Sequence, residues 1–395
     1  MIEYERAREL VLAEAAGCGT EALPVARAGG RVLAEEIRAR ISSPPFDKAA
    51  MDGYAVRSED LAGLPAELEV VGEVPAGRFP QFIVGPGQAA GITTGSPVPA
   101  GADTVIMVEH TGGLDGGRVR VNRLSGDNIC AEGEDVRRGQ TVLEAGAVLT
   151  PLRVGAAAAA GHPEVRVFRR PSGALLCTGS EVVEPGGEPA RAQIFNANGP
   201  MLSALMDPLC RELAYLGIAG DKEGRLAALV QRGLEADVLV ITGGVSVGPY
   251  DLVPRVLEEA GVRTVFHKVA IKPGKPTFFG RTEGTLVFGM PGNPQSCFVL
   301  FKMLVEPALA ALGGMLDLPP HFEEGLAAET FRNNPERMNV MPCAIERGGG
   351  APVIRRVPYH GSADIIGPGG ADGFFLVPRG TECVNEGDRL RFFEI

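Results

Sequence analysis

The sequence predicts a multidomain chain of α/β and β class. It combines an αβα doubly wound domain, a β-rich domain before it, a helical N-terminal part and a small C-terminal β-barrel or sandwich. Three observations carry this. Between about 169 and 315, short β-branched runs alternate with helical runs, the rhythm of βαβ units. Either side, 46–143 and 321–395 break into short alternating strands between Gly and Pro turns. With 54 Gly and 31 Pro in 395 residues, turns are more frequent than one helical body allows.

In chain order, 7–16 keeps apolar positions at helical spacing, and 25–41 is expected to continue as helix after a turn. Ser42-Ser43-Pro44-Pro45 breaks the pattern. Short strands are expected near 67–72, 88–92, 104–108 and 118–121. The Ala-rich stretch 143–161 returns to the character of the first forty residues, which makes 46–143 an insertion. The boundaries expected are 1–45 with 144–168, then 46–143, 169–315 and 320–395. Within 169–315, strands are expected at 173–178 and 238–241, and helical runs at 200–216, 223–236 and 250–260. Further apolar runs follow at 262–271 and 285–290, then a helical run at 295–312. Three of these strands empty into distinctive turns: 242–248, Lys272-Pro273-Gly274-Lys275-Pro276 and Pro291-Gly292-Asn293-Pro294. Open α/β sheets bind ligands at such an edge.

The totals exclude several classes. Hydrophobic content of 45% and charged content of 22% describe a packed soluble protein. A net charge of −11 argues against nucleic acid as a partner. No apolar run of about 18 residues is seen, so no membrane span is expected. No signal-peptide pattern opens the chain. Seven scattered cysteines without C-x-x-C fit reduced thiols and a cytoplasmic setting. Five histidines without i, i+4 pairing argue against a His-built metal site.

Each candidate site also has an ordinary reading. The turn with Gly243, Gly244, Ser246 and Gly248 is neither a P-loop nor G-x-G-x-x-G; it is a tight βα turn, or a phosphate or pterin contact at a helix N-terminus. Asp251 reads as a helix cap or as a carboxylate holding a divalent cation. Lys268, Lys272 and Lys275 are singly ordinary surface lysines, but three within eight residues, set among Pro and Gly, suit an anionic ligand. Glu181, Asp221 and Asp251 would make an oxygen-ligand site for Mg²⁺ if they converge. Asp52-Gly53 and Asp135 read as turn residues, and the loop 93–103 as rigid and rich in hydroxyls.

The segments 46–57, 94–109, 133–139, 243–248, 272–276 and 289–294, in this order, resemble the molybdopterin molybdenumtransferase family (MoeA and the gephyrin E domain). The resemblance implies four domains: an elongated helical one, an inserted β domain, an αβα domain and a C-terminal β-barrel. It implies a Mg²⁺-dependent enzyme that takes adenylylated molybdopterin and molybdate and releases AMP and molybdenum cofactor. It assigns roles to Asp52, Thr94 and Asp135 in the inserted domain. Glu181, Asp221 and Asp251 match the carboxylates of the αβα domain, and Lys268, Lys272 and Lys275 would screen the anions. The glycine turn and Pro291, Gly292 and Asn293 would hold the pterin, with Ser362 and Arg337 toward the molybdate end. A homodimer with its active site shared between subunits is implied, as is the molybdopterin adenylyltransferase as a protein partner. The chain departs from the family with Ser180 before Glu181 and Lys222 after Asp221, where carboxylates are usual. A molybdopterin adenylyltransferase and a cofactor-binding paralogue with weakened turnover are the alternatives.

Overall fold

The computed structural model describes residues 1–395 except Asp115, Asp221 and 246–251. The chain forms two compact units, Met1–Glu21 with Val167–Ile395, and Ala22–Arg166.

In the first unit, six strands form one sheet in the order Glu212–Ala219, Ser172–Thr178, Val238–Thr242, Leu286–Met290, Phe278–Arg281, Arg263–His267. The first four are mutually parallel, and Phe278–Arg281 runs antiparallel to both of its neighbours. Every residue of Val238–Thr242 is buried, as its unbroken apolar run requires. Side-chain alternation splits the sheet between two cores. Leu175, Val238, Val240 and Phe288 face one cluster with Leu202, Met206 and Leu300. Ala174, Leu176, Leu239, Ile241 and Val287 face another with Leu226, Val230 and Leu257. Helices therefore cover both faces: Asn198–Met206 and Pro294–Leu300 on one, Glu223–Gly233 and Val253–Glu259 on the other. Strand order reverses at Ser172–Thr178, whose neighbours on its two sides both follow it in the chain. That reversal opens a crevice at the carboxyl ends of Ser172–Thr178 and Val238–Thr242.

The C-terminal strands close on themselves. Met338–Glu346, Val353–Arg356, Glu323–Ala327, Arg389–Glu394 and Gly373–Val377 pair in sequence, and Gly373–Val377 pairs back onto Met338–Glu346. The ring is a five-stranded barrel around Phe375, Phe392 and Leu390, which decides between barrel and sandwich. Ile271–Lys272 adds to it alongside Met338–Asn339. The helical segment Pro294–Leu312 is long and apolar enough to cross a bilayer, but 78% of that window is buried in the protein, as for a core helix.

The second unit holds a six-stranded mixed sheet, ordered Thr104–Met107, Gly53–Val56, Gln88–Ile92, Ala66–Val74, Arg118–Val121, Thr111–Leu114. Val56, Leu68, Ala89 and Ile106 pack on one side of it; Ala55, Ala90, Ile92 and Val105 pack on the other.

Two expected helices change. Residues 25–41 are not helical beyond the 3-10 turn Val25–Arg27. Ile37–Arg38 instead pairs with Thr141–Leu143, and the Leu33 N–H donates to Ala147 O at 2.9 Å. Gly29-Gly30 disfavours helix there, and long-range pairing overrides the apolar spacing. The expected run 200–216 ends as α-helix at Met206. Asp207-Pro208 forms a 3-10 turn, and Glu212–Ala219 is the sheet's edge strand.

Candidate active site

The crevice at the strand reversal is a cleft of about 460 Å³, and among its walls are Thr178, Glu181, Asn198, Gly243, Gly292 and Asn293. Gly243 lies at φ +83°, and its N–H donates to Met290 O at 2.9 Å. A Cβ there would stand 2.6 Å from Thr178 Oγ1 and 2.8 Å from Thr178 O, so only glycine lets the turn cross the end of the neighbouring strand. Gly244 is also left-handed, at φ +64°. The second turn lies alongside: a Cβ on Gly292 would sit 3.9 Å from Gly243 Cα. Two glycine turns from adjacent strands thus share one wall.

The second turn is held from both sides. Asn198 Nδ2 donates to Gly292 O at 2.7 Å. Asn293 Nδ2 donates to Ser362 Oγ at 2.8 Å, and the Gln295 N–H to Ser362 O at 3.2 Å. Pro291, Gly292, Asn293 and Ser362, separated by about seventy positions of chain, are therefore one cluster.

The lysine turn folds back on itself. The Lys268 N–H donates to Thr277 O at 2.8 Å and the Val269 N–H to Lys275 O at 3.1 Å. Lys268 holds φ +85°, a left-handed conformation that costs a non-glycine residue about 1–2 kcal/mol. Such strain concentrates at functional sites. Lys272 and Lys275 are exposed and Lys268 half-buried. Among the described residues no carboxylate pairs with any of the three. The turn reaches the cleft through Pro276. Arg337 Nη1 donates to Ile271 O at 3.1 Å, which sets the guanidinium beside Lys272.

Of the three expected carboxylates, only Glu181 lies among the described residues. It is exposed at the cleft, with its oxygens 2.7 and 2.8 Å from where a Cβ on Gly179 would stand. Asp221, Ser246, Gly248 and Asp251 lie outside the described residues. No group of three His, Cys, Asp or Glu able to hold a metal occurs among the described residues. Glu181 is an oxygen donor of the kind Mg²⁺ accepts while keeping its waters.

In the second unit, Asp52 and Thr94 form one hydrogen-bonded pair. The Thr94 N–H and Oγ1–H both donate to Asp52 Oδ1, at 2.6 and 2.8 Å. The backbone N–H, then the hydroxyl, hold the Asp52 carboxyl below its ordinary range. Gly53 cannot change: a Cβ would fall 1.9 Å from Ile106 O. Asp135 is anchored elsewhere, accepting from Ser43 Oγ at 3.2 Å while its N–H donates to Ser43 O at 3.0 Å. Among the described residues it makes no hydrogen bond to the Asp52–Thr94 pair.

Reading the sequence missed Asn196, Asn198, Glu184, Tyr215 and Cys177 around the cleft. Cys177 is buried at its floor, and burial pushes its thiol up. Tyr215 donates its phenol to Glu184 Oε1 at 2.5 Å and accepts from Asn196 Nδ2 at 2.8 Å. Asn-x-Asn ahead of a helical run was the available signal.

The chain matches three family models: the MoeA N-terminal region (domains I and II) over 2–161, a probable molybdopterin binding domain over 174–311 and the MoeA C-terminal region (domain IV) over 324–393. It is 38% identical over 323 residues to molybdopterin molybdenumtransferase 2 of Mycobacterium tuberculosis, covering 79% of this chain and 80% of the relative. It is 33% identical over 359 residues to molybdopterin molybdenumtransferase of Staphylococcus aureus, covering 87% and 86%. The crystal structure of the molybdopterin biosynthesis MoeA protein of Pyrococcus horikoshii superposes with a TM-score of 0.84 at 33% identity, covering 100% of this chain and 99% of that one.

Proposed function

Because the chain belongs to the molybdopterin molybdenumtransferase family, we propose that it is the molybdenum insertase of molybdenum cofactor biosynthesis. It takes adenylylated molybdopterin and molybdate, and it releases AMP and molybdenum-loaded molybdopterin. The observation that carries this reading is the meeting of Gly243 and the Gly292–Asn293 turn, braced by Asn198 and Ser362, at the carboxyl edge of the parallel strands.

In this reading the two glycine turns let the pterin and its phosphate approach the backbone closely. Lys268, Lys272 and Lys275 offset the charge of a substrate anionic at both ends, as mobile point charges do for phosphate. Ser362 and Arg337 stand toward the molybdate end. Glu181, with Asp221 and Asp251, would hold Mg²⁺. Bound there, the cation would neutralise charge developing on the leaving phosphate. Asp52, Thr94 and Asp135 complete the site from the second subunit of a homodimer, in the cytoplasm, with substrate handed over by a molybdopterin adenylyltransferase.

The test is AMP release from adenylylated molybdopterin when molybdate and Mg²⁺ are added to the full chain. Stoichiometric AMP that requires molybdate supports insertion. ATP-dependent adenylylation of molybdopterin without molybdate would replace it with the adenylyltransferase reading. Binding without AMP release would replace it with a non-turnover binding protein.

A further inference from the structure

One wall of the cleft is a small two-stranded flap. Val182–Val183 pairs in parallel with Ile194–Phe195, and the flap begins at Glu181. Its register is fixed by the Ile194 N–H donating to Glu181 O and the Asn196 N–H to Val183 O, both at 2.8 Å. Ile194 and Phe195 are both exposed and Val182 and Val183 only half-buried, so apolar burial is a partial hold on the flap. The rest of the hold is polar. Glu184, the first residue beyond Val183, accepts the Tyr215 phenol from the edge strand. Asn196 donates to the same phenol oxygen and accepts the Gly199 N–H at 2.9 Å through its Oδ1. Asn196 is 3% exposed. A Cβ on Gly199 would stand 2.6 Å from Asn196 Nδ2 and 2.8 Å from Tyr215 Oη, so the three groups and the helix start are packed as one body. Two residues on, Asn198 holds the Gly292 turn. Tyr215 is 41% exposed; partial burial of its phenol, and then the bond to Glu184, push it above its ordinary range, so it stays a donor.

We propose that Tyr215, Glu184 and Asn196 form a latch that positions the Glu181 flap and the Gly292 turn relative to each other, and that Tyr215 is a positioning residue for the reaction. The proposal rests on the insertase reading for its kinetic consequence and not for its mechanical one. The latch lies behind the flap and acts on substrate through Glu181 and Gly292. Its loss therefore slows the step at saturating substrate more than it weakens binding, because misplaced groups cost rate steeply.

The experiment measures amide exchange and turnover on the full chain. Tyr215→Phe removes one charge-assisted hydrogen bond, so protection at the Ile194 and Asn196 amides is expected to fall about tenfold. AMP release at saturating adenylylated molybdopterin is expected to fall about tenfold, with affinity for that substrate changed less than about threefold. Glu184→Gln keeps an acceptor for the phenol and is expected to lose less than about fivefold in either readout. Tyr215→Phe combined with Glu184→Ala is expected to cost no more than the worse single change, the mark of one coupled unit. Parent-like exchange in Tyr215→Phe overturns the latch. Faster exchange with parent-like turnover, additive losses in the double variant, or a Glu184→Gln loss as large as that of Tyr215→Phe also overturn it. If the parent chain releases no AMP, the insertase reading fails by itself, and the exchange arm still decides the latch.

Discussion

Gly243→Ala and Gly292→Ala separate what the fold needs from what the cleft needs. The two residues are neighbours in space on the same wall. At Gly243 the backbone has φ +83°, which costs an alanine about 1–2 kcal/mol. Its methyl would also stand 2.8 Å from a backbone carbonyl, Thr178 O, and 2.6 Å from Thr178 Oγ1. The hydroxyl is itself committed to Thr242 O at 3.0 Å, so neither atom can yield freely. Relieving that overlap adds about 1–3 kcal/mol, for a total of about 2–5 kcal/mol. For a unit of this size the melting temperature falls by about 2–4 °C per kcal/mol, so by about 4–20 °C here. At Gly292 the methyl would meet only Gly243 Cα at 3.9 Å, an ordinary contact. Gly292→Ala should therefore melt within about 2 °C of the parent, at about ±0.5 kcal/mol, yet bind adenylylated molybdopterin more weakly because the methyl fills the gap between the turns. Calorimetric melting of both variants, with ligand titration of the second, tests the pair. Equal melting temperatures for Gly243→Ala and the parent would refute the steric argument. A Gly292→Ala chain that binds as the parent does would refute the placement of the pterin between the turns.

Phe288→Ala should cost about 3–5 kcal/mol, since Phe288 is 1% exposed and its ring lies 4.9 Å from that of Phe279; urea titration reads it. The Asp52 carboxyl is held below its ordinary range by Thr94, so its stabilising effect on the Thr94 turn is complete above the ordinary aspartate range and is lost as pH falls through the lowered value. The Thr94 amide resonance, followed through an acid titration, should move only below that range, and Asp52→Asn should abolish the movement. Asp52→Ala and Lys272→Ala chains, each inactive alone, should regain partial AMP release when mixed and re-formed as heterodimers. No recovery would reject a site shared between subunits.

Local signals carried the αβα domain. The run Val238-Leu239-Val240-Ile241 and the glycines after it are contiguous, so strand and turn could be read directly. The barrel was legible as short strands but not as a closed ring, because closure rests on Gly373–Val377 returning to Met338–Glu346, a pairing that leaves no local mark. The stretch 25–41 misled because its apolar spacing is compatible with a helix, while its partners at Thr141–Leu143 lie a hundred positions away. Of the residues lining the cleft, Gly243, Gly244, Gly292 and Asn293 sit inside distinctive turns and are legible in the sequence. Asn198, and Glu184 and Tyr215 beyond the lining, are not, since a polar side chain far along the chain reaches this edge only through the sheet. The charge of Lys268 is legible in the sequence; its left-handed backbone is visible only in three dimensions.

The most direct measurement is amide exchange across the whole chain with and without adenylylated molybdopterin. New protection centred on 242–245 and 291–293 is the predicted result. Protection confined to other surfaces, with those two turns exchanging as in the free chain, would contradict the placement of the pterin at the carboxyl edge of the parallel strands.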